Sequence, residues 1–293
     1  MGPHQPLPKG AGIGPRLTGL NDVFLLRSKS AARAPSSSKL YVIQDPIFYL
    51  LATPAVVLLG FSKGGLAGVG SLSLPLMVLV IDPVQAAAIM LPILIVQDIV
   101  SVWSFRRHLD WYVLGWTLPG ATLGILIGYL FAANVSSAAV MALVGAISIA
   151  FGAYRLWLGR RGTPAAGAPS PGWVGSLAGV ASGFTSQIAH AGAPPFQLWV
   201  LPRRLPRDVL IGTWAVYFAA LNWIKVPAFA ALGQFSATNM LTAAALLPVA
   251  IASTFAGVWL VRRIDGERFY KIIYWLMILV GVVLIVEAAL ELT

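Results

Sequence analysis

Cysteine is absent from this 293-residue chain, which excludes disulfides, thiolate metal sites and a cysteine nucleophile. Charge is scarce too. Asp, Glu, Lys and Arg together make up 10% of the residues, against 58% hydrophobic ones, and the mean hydropathy is +0.82. Soluble domains carry roughly 25% charged residues, so water is not the solvent that most of this chain faces. Acids are the rarer sign, 10 against 20 Lys and Arg. A net charge of +10 would suit nucleic acid, yet the basic residues gather in short stretches between apolar runs, the pattern of loops kept on the cytoplasmic face of a membrane. No nucleic-acid partner is expected. Alternation of period two is missing from the apolar runs, which excludes a transmembrane barrel and leaves helices to satisfy the backbone in lipid.

What is plentiful is hydrophobic sequence in lengths of about twenty residues, enough to cross the hydrocarbon core as helix. Such runs occupy 83–103, 111–131, 136–158, 238–261 and 269–290. Trp103, Trp111, Trp157, Trp173 and Trp259 fall near span ends, where aromatic belts form. The first forty or so residues differ, being rich in Pro, Gly, Ser and basic residues with one acid, Asp22. Their Arg/Ser bias over 15–39 resembles a transit peptide, and the apolar stretch 20–26 is too short for a secretory signal. Residues 1–45 are therefore read as a disordered tail or a start assigned too far upstream. A first transmembrane repeat follows at 46–158, a cytoplasmic basic linker at 159–172 and a second repeat at 173–293.

The repeats emerge when the chain is compared with itself. Gly60-Phe61-Ser62-Lys63 before a Gly-rich stretch matches Gly183-Phe184-Thr185-Ser186, and Gly70 then matches Gly192. A long helix carries Asp98 in one half and Asn222 in the other; the next carries Pro119 and Gly128, matching Pro248 and Gly257. The basic loops (Arg106 and Arg107; Arg155, Arg160 and Arg161; Arg203, Arg204 and Arg207; Arg262, Arg263, Arg268 and Lys271) share one face only if the halves are upside down to each other. The expected fold is an all-α integral membrane protein of two inverted-topology repeats, each an interrupted or re-entrant hairpin followed by about three transmembrane helices. Both termini then lie outside, against the basic character of Arg16, Arg27, Lys29, Arg33 and Lys39 in the tail.

In each half the first hydrophobic stretch is interrupted, by Lys63-Gly64-Gly65 with Gly68 and Gly70, and by 187–195. Irregular backbone at membrane depth is tolerated only inside protein or beside a cavity, and paired interruptions point to a transport site. Taken singly, such glycines serve close helix packing. Ionisable residues within spans mark function by default: here they are Lys63, Asp98, His190 and Lys225, with Gln97, Gln187, Thr213 and Asn222 as polar company. Three of the four can be cationic, which favours an anionic substrate. Lys63 has snorkelling as its alternative, and Lys225, nearer a segment end, is expected to snorkel. Asp98 is read either as carrier of a coupling proton or as a structural partner of a cation. The substrate set is expected to be Lys63, Gly64, Gly65, Gly70, His190, Gly192, Thr213 and Asn222, with Asp98 for coupling.

These residues resemble the TauE/SafE family, the sulfite exporter or anion permease group, over 46–290. The resemblance rests on Gly60-Phe61-Ser62-Lys63-Gly64-Gly65, Pro83-Val84-Gln85-Ala86-Ala87-Ala88, Leu91-Pro92 and Ala189-His190-Ala191-Gly192-Ala193-Pro194-Pro195. It continues in Gly212-Thr213, Asn222-Trp223-Ile224-Lys225 and Leu232-Gly233-Gln234. Relatives usually carry Gly where this chain has Ala67 or Ala193. The resemblance implies a multi-pass permease or exporter of the bacterial cell (inner) membrane, moving small anions such as sulfite or organosulfonates.

Two other classes are weighed. An intramembrane enzyme would use Ser62, Ser71 or Ser186 with His190 as base; Gly60-Phe61-Ser62-Lys63-Gly64 spells a nucleophile elbow but has no strand before it. A membrane subunit without cargo would not need matched interruptions or buried Lys and Asp. Neither a phosphate-binding loop nor a His-Glu-x-x-His pair occurs. Secondary transport is the default, with no cofactor, and with a small anion and the bilayer as partners.

Overall fold

A computed structural model describes residues 42–64, 68–161, 170–260 and 266–292. The expected tail lies outside the described residues up to position 41, as do Gly65, most of the linker, Arg262 and Arg263. The described chain is helical throughout, without a strand. Helix α1 (Pro46–Lys63) is followed by a 3-10 turn (Val69–Leu72) and the short α2 (Ser73–Val78), then by α3 (Pro83–Phe105), α4 (Trp111–Asn134) and α5 (Ser137–Arg161). The order recurs in α6 (Gly172–Ala189), the short α7 (Ala193–Val200) with a 3-10 turn (Leu201–Arg203), α8 (Arg207–Ala231), α9 (Ala237–Leu260) and α10 (Gly266–Leu292).

Among the described residues, seven helices are long and apolar enough to cross a membrane. The eighth long helix, α6, equals α1 in its 18 residues but is diluted by Gly and Ser. In the first half the helices start on side-chain caps: Asp45 accepts the Ile47 N–H, Asp82 those of Val84 and Gln85, and Asp110 that of Val113. Pro46 and Pro83 occupy first turns, where no N–H is missed.

Helix pairing is reciprocal between the halves: α1 packs on α9 and α6 on α4, α3 on both α8 and α9, α8 on α4, and α5 on α10. Small residues let these backbones meet, as lipid-embedded packing requires. A Cβ at Gly183 would stand 2.0 Å from the Ala121 carbonyl oxygen, and one at Gly124 2.0 Å from that of Val180. The short arms are anchored by buried side chains, α2 by Leu74 and Met77 and α7 by Phe196, stacked on Tyr217 with centroids 4.1 Å apart. Arg155 of α5 donates to the Tyr274 hydroxyl of α10 at 2.9 Å and to Gln197 Oε1 of α7 at 3.0 Å.

Hydrogen bonds gather the helix ends into two groups. At one end the Ile43 N–H donates to Thr242 Oγ1 (3.1 Å), Gln85 Nε2 to Asn239 Oδ1 (2.9 Å), and the Ser137 hydroxyl to Asp82. At the opposite end the Asp110 N–H donates to Thr213 Oγ1 (2.8 Å), Ser176 Oγ to the Trp116 carbonyl (2.8 Å) and Arg203 Nη2 to that of Ser170 (2.6 Å). Leu123, Leu126 and Leu130 of α4 and Trp275, Leu279 and Val286 of α10 are exposed, as suits a lipid-facing wall. Trp103, Trp111, Trp157, Trp173 and Trp259 are exposed near helix ends, in belt positions.

Candidate functional site

Both interruptions are present. Helix α1 stops at Lys63, where the Gly64 N–H closes on the Gly60 carbonyl at 2.8 Å, and the described chain resumes at Gly68 with φ +92°, a conformation that suits glycine. Helix α6 stops at Ala189. His190 caps it with φ +50°, and the Ala191 N–H reaches back to the Thr185 carbonyl at 3.2 Å. Gly192 starts α7 pressed against α6: its carbonyl accepts Ser182 Oγ at 2.6 Å, and a Cβ there would lie 2.8 Å from the Ser182 oxygen.

The ends of α1 and α6 face α3 and α8 across one polar junction. Lys63 Nζ donates to Asp98 Oδ1 on α3, and Asn222 Nδ2 on α8 donates to Asp98 Oδ2 at 2.5 Å. One carboxylate thus ties both halves. Three residues on from Asp98, Ser101 Oγ donates to the Lys63 carbonyl at 3.4 Å. Three residues on from Asn222, on the same helix face, Lys225 Nζ reaches Ser186 at the end of α6, 3.3 Å from its carbonyl and 3.2 Å from its hydroxyl. Lys225 also donates to His190 Nδ1 at 2.8 Å, while His190 Nε2 stands 3.0 Å from the Ala87 carbonyl oxygen. A carbonyl only accepts, so Nε2 carries the ring proton and Nδ1 is the acceptor.

A cavity of about 230 Å³ lies against this junction. Lys63, Gly70, His190, Asn222, Lys225 and Ser186 line it, with apolar walls from Leu59, Leu94, Trp214 and Phe218. It extends to Leu210 and Ile211 in the first turn of α8, at the arginine-bearing end of the bundle. On the other side of His190, whose ring stacks on Phe229, a space of only about 10 Å³ is walled by Ala87, Gln187 and Phe229.

Of the residues expected at the site, Lys63, Gly70, His190 and Asn222 are brought together there, with Asp98 bonded behind them. Gly64 serves as the cap of α1 and Gly192 as the start of α7, and Gly65 lies outside the described residues. Thr213 is buried against the start of α4, its hydroxyl accepting the Asp110 N–H. Lys225 corrects an expectation: it does not snorkel but is wholly buried on the inner face of α8, because Ser186 and His190 supply acceptors that an interface would otherwise provide. Ser186 and Ser101 were missed as members of the junction. The signal lay in the repeat itself, since the match of Lys63 with Ser186 and of Asp98 with Asn222, carried three residues further, sets Ser101 against Lys225. Both ring nitrogens of His190 are engaged, so it holds no serine hydroxyl as a base would. No group of three His, Asp or Glu able to hold a metal occurs among the described residues.

A helical bundle with apolar outer walls, two broken segments and a charged centre defines a multi-pass membrane protein of transporter type. The Sulfite exporter TauE/SafE family profile matches residues 52–284, and the chain belongs to that family. No curated protein and no solved structure matches the chain.

Proposed function

We propose that the chain is a secondary-active transporter of small anions, of the sulfite or organosulfonate type, coupled to protons through Asp98. The observation that carries this reading is the meeting of both broken segments at one cavity walled by Lys63, Lys225, His190 and Asn222. The ammonium groups of Lys63 and Lys225 and the Asn222 amide are donors that recognise an oxyanion by charge-assisted hydrogen bonds, and His190 positions Lys225. Lys63 and Asn222 are its hydrogen-bonding contacts, with His190 and Gly70 in the wall beside it; Thr213, engaged with Asp110, is left outside the set. Among the described residues Asp98 is the only acid at the junction, and its two partners are the groups an anion would seek. A proton on Asp98 would release them.

The reciprocal pairing supports inverted repeats. At the α5–α10 crossing a Cβ at Gly152 would meet the Tyr274 oxygen at 2.7 Å and Ile278 at 2.9 Å, and one at Gly281 the Gly145 oxygen at 2.7 Å and Ile149 at 2.8 Å. These are equivalent contacts under a two-fold relation that matches Gly152 with Gly281, and Asp98 and Asn222 meet across the same relation. Helix α1 starts at the end where Asp45 and Asp82 lie, and α6 at the arginine-bearing end, so the two halves run oppositely. With the basic end in the cytoplasm, the cavity faces inward. A bacterial cell membrane is the setting this implies.

Uptake and efflux of labelled sulfite, sulfate and a short sulfonate in proteoliposomes, with and without a pH gradient, test the reading. At least one anion is expected to move in response to the gradient; movement of none would remove it. Asp98→Asn is expected to remain folded and to lose the response to the gradient, whereas an unchanged response would make Asp98 structural.

A further inference from the structure

The two lysines of the cavity differ in one respect. Lys63 has a counter-ion in Asp98. Lys225, wholly buried, makes no direct ion pair among the described residues, the Asp98 carboxylate acting on it only through space: its Nζ meets the Ser186 carbonyl, the Ser186 hydroxyl and His190 Nδ1, three uncharged groups. His190 adds no charge, since Nδ1 accepts from Lys225 while Nε2 faces the Ala87 carbonyl. Arg155 does not line the cavity and is held by Tyr274 and Gln197. The segment between Lys63 and Gly68 contains only Gly64, Gly65, Leu66 and Ala67 and brings no charge.

We infer that the cavity is built for one negative charge: Lys63 and Asp98 cancel, and a monoanion supplies the counter-charge that Lys225 is missing. The inference rests on the anion-transport reading above and narrows it. A buried cation without a counter-ion is costly, and that cost falls when an anion arrives. A dianion in the same place would leave one negative charge uncompensated among Leu59, Leu94, Trp214 and Phe218, where solvation is poor. Lys225 is then the residue that sets substrate valence, with the Ser186 hydroxyl and His190 positioning its ammonium. Lys63 becomes available to the ligand only when Asp98 gives it up.

Methanesulfonate and sulfate present similar sulfur–oxygen geometry with one and two charges, and serve as probes. Binding of each to the purified full-length chain, followed at neutral pH by calorimetry or thermal shift, is expected to favour methanesulfonate at least tenfold. In Asp98→Asn, where Lys63 loses its counter-ion, the preference is expected to move toward sulfate by a similar factor. Lys225→Met is expected to weaken methanesulfonate at least tenfold, and Lys225→Arg, which keeps the charge, to restore part of it. Wild-type protein that binds sulfate as well as methanesulfonate overturns the inference while leaving the anion reading in place. Wild-type protein that binds neither these probes nor sulfite removes both. The wild-type comparison decides even if a variant fails to fold.

Discussion

Asp98 and Lys63 are paired but not equivalently housed. The Asp98 side chain is 3% exposed and that of Lys63 15%, so the ammonium borders the cavity and the carboxylate does not. Removing Lys63 leaves a buried carboxylate with only the Asn222 amide. Removing the charge of Asp98 leaves an ammonium that cavity water reaches. Lys63→Met is therefore expected to destabilise the protein by on the order of 3 kcal/mol, the cost of orphaning a buried charge, and Asp98→Asn by clearly less. The double variant is expected to recover most of the loss, because both charges leave together. Unfolding in detergent, read as a double-mutant cycle, checks this; equal losses in the two single variants would contradict the difference in burial.

At the scale of elements, close approach of backbones is the main constraint. A Cβ at Gly183 has nowhere to go, with the Ala121 backbone oxygen 2.0 Å away, whereas nothing lies within 4 Å of one at Gly115. Gly183→Ala is expected to cost about 1–3 kcal/mol as α4 and α6 are pushed apart. Gly115→Ala is expected to be neutral or to stabilise by about 1 kcal/mol through helix propensity. Size-exclusion after graded heating separates these outcomes.

The long helices were legible in the sequence because lipid imposes length and hydrophobicity together, and the interruptions because Gly and Pro clustered within a few residues weaken a helix in the middle of a span. Less legible was the inner face of α8. Lys225 lies six residues before the helix end, where a long cationic side chain normally reaches for the interface. Only its partners, contributed by α6 some forty residues earlier, turn it inward. Thr213 shows the converse. Its position in a motif suggested substrate, but the loop that begins α4 takes its hydroxyl, a long-range contact no local pattern contains.

For the whole molecule, the absence of cysteine makes orientation measurable without first removing native thiols. Single cysteines at Arg107 and Arg204, both exposed at the basic end, are expected to react with a membrane-impermeant maleimide only from the cytoplasmic side. Cysteines at Ser136 and Ala231, exposed at the other end, are expected to react only from outside. Labelling of Arg107→Cys and Arg204→Cys from opposite sides would rule out inverted halves.

Inverted halves, as proposed above, would also bear on Arg155. Carrying the match of Pro119 with Pro248 and of Gly128 with Gly257 along the chain would set Arg155 opposite Leu284, a buried side chain with nothing to donate. Were the halves to exchange conformations, the hydrogen bonds from Arg155 to Tyr274 and Gln197 would have no counterpart in the mirrored arrangement. Bonds to a charged group contribute about 1.5–3 kcal/mol each, so losing one would tilt the balance by at least roughly tenfold. Under the transport reading, the resting population would then be weighted toward the arrangement seen here, and a cycle would run between states of unequal depth.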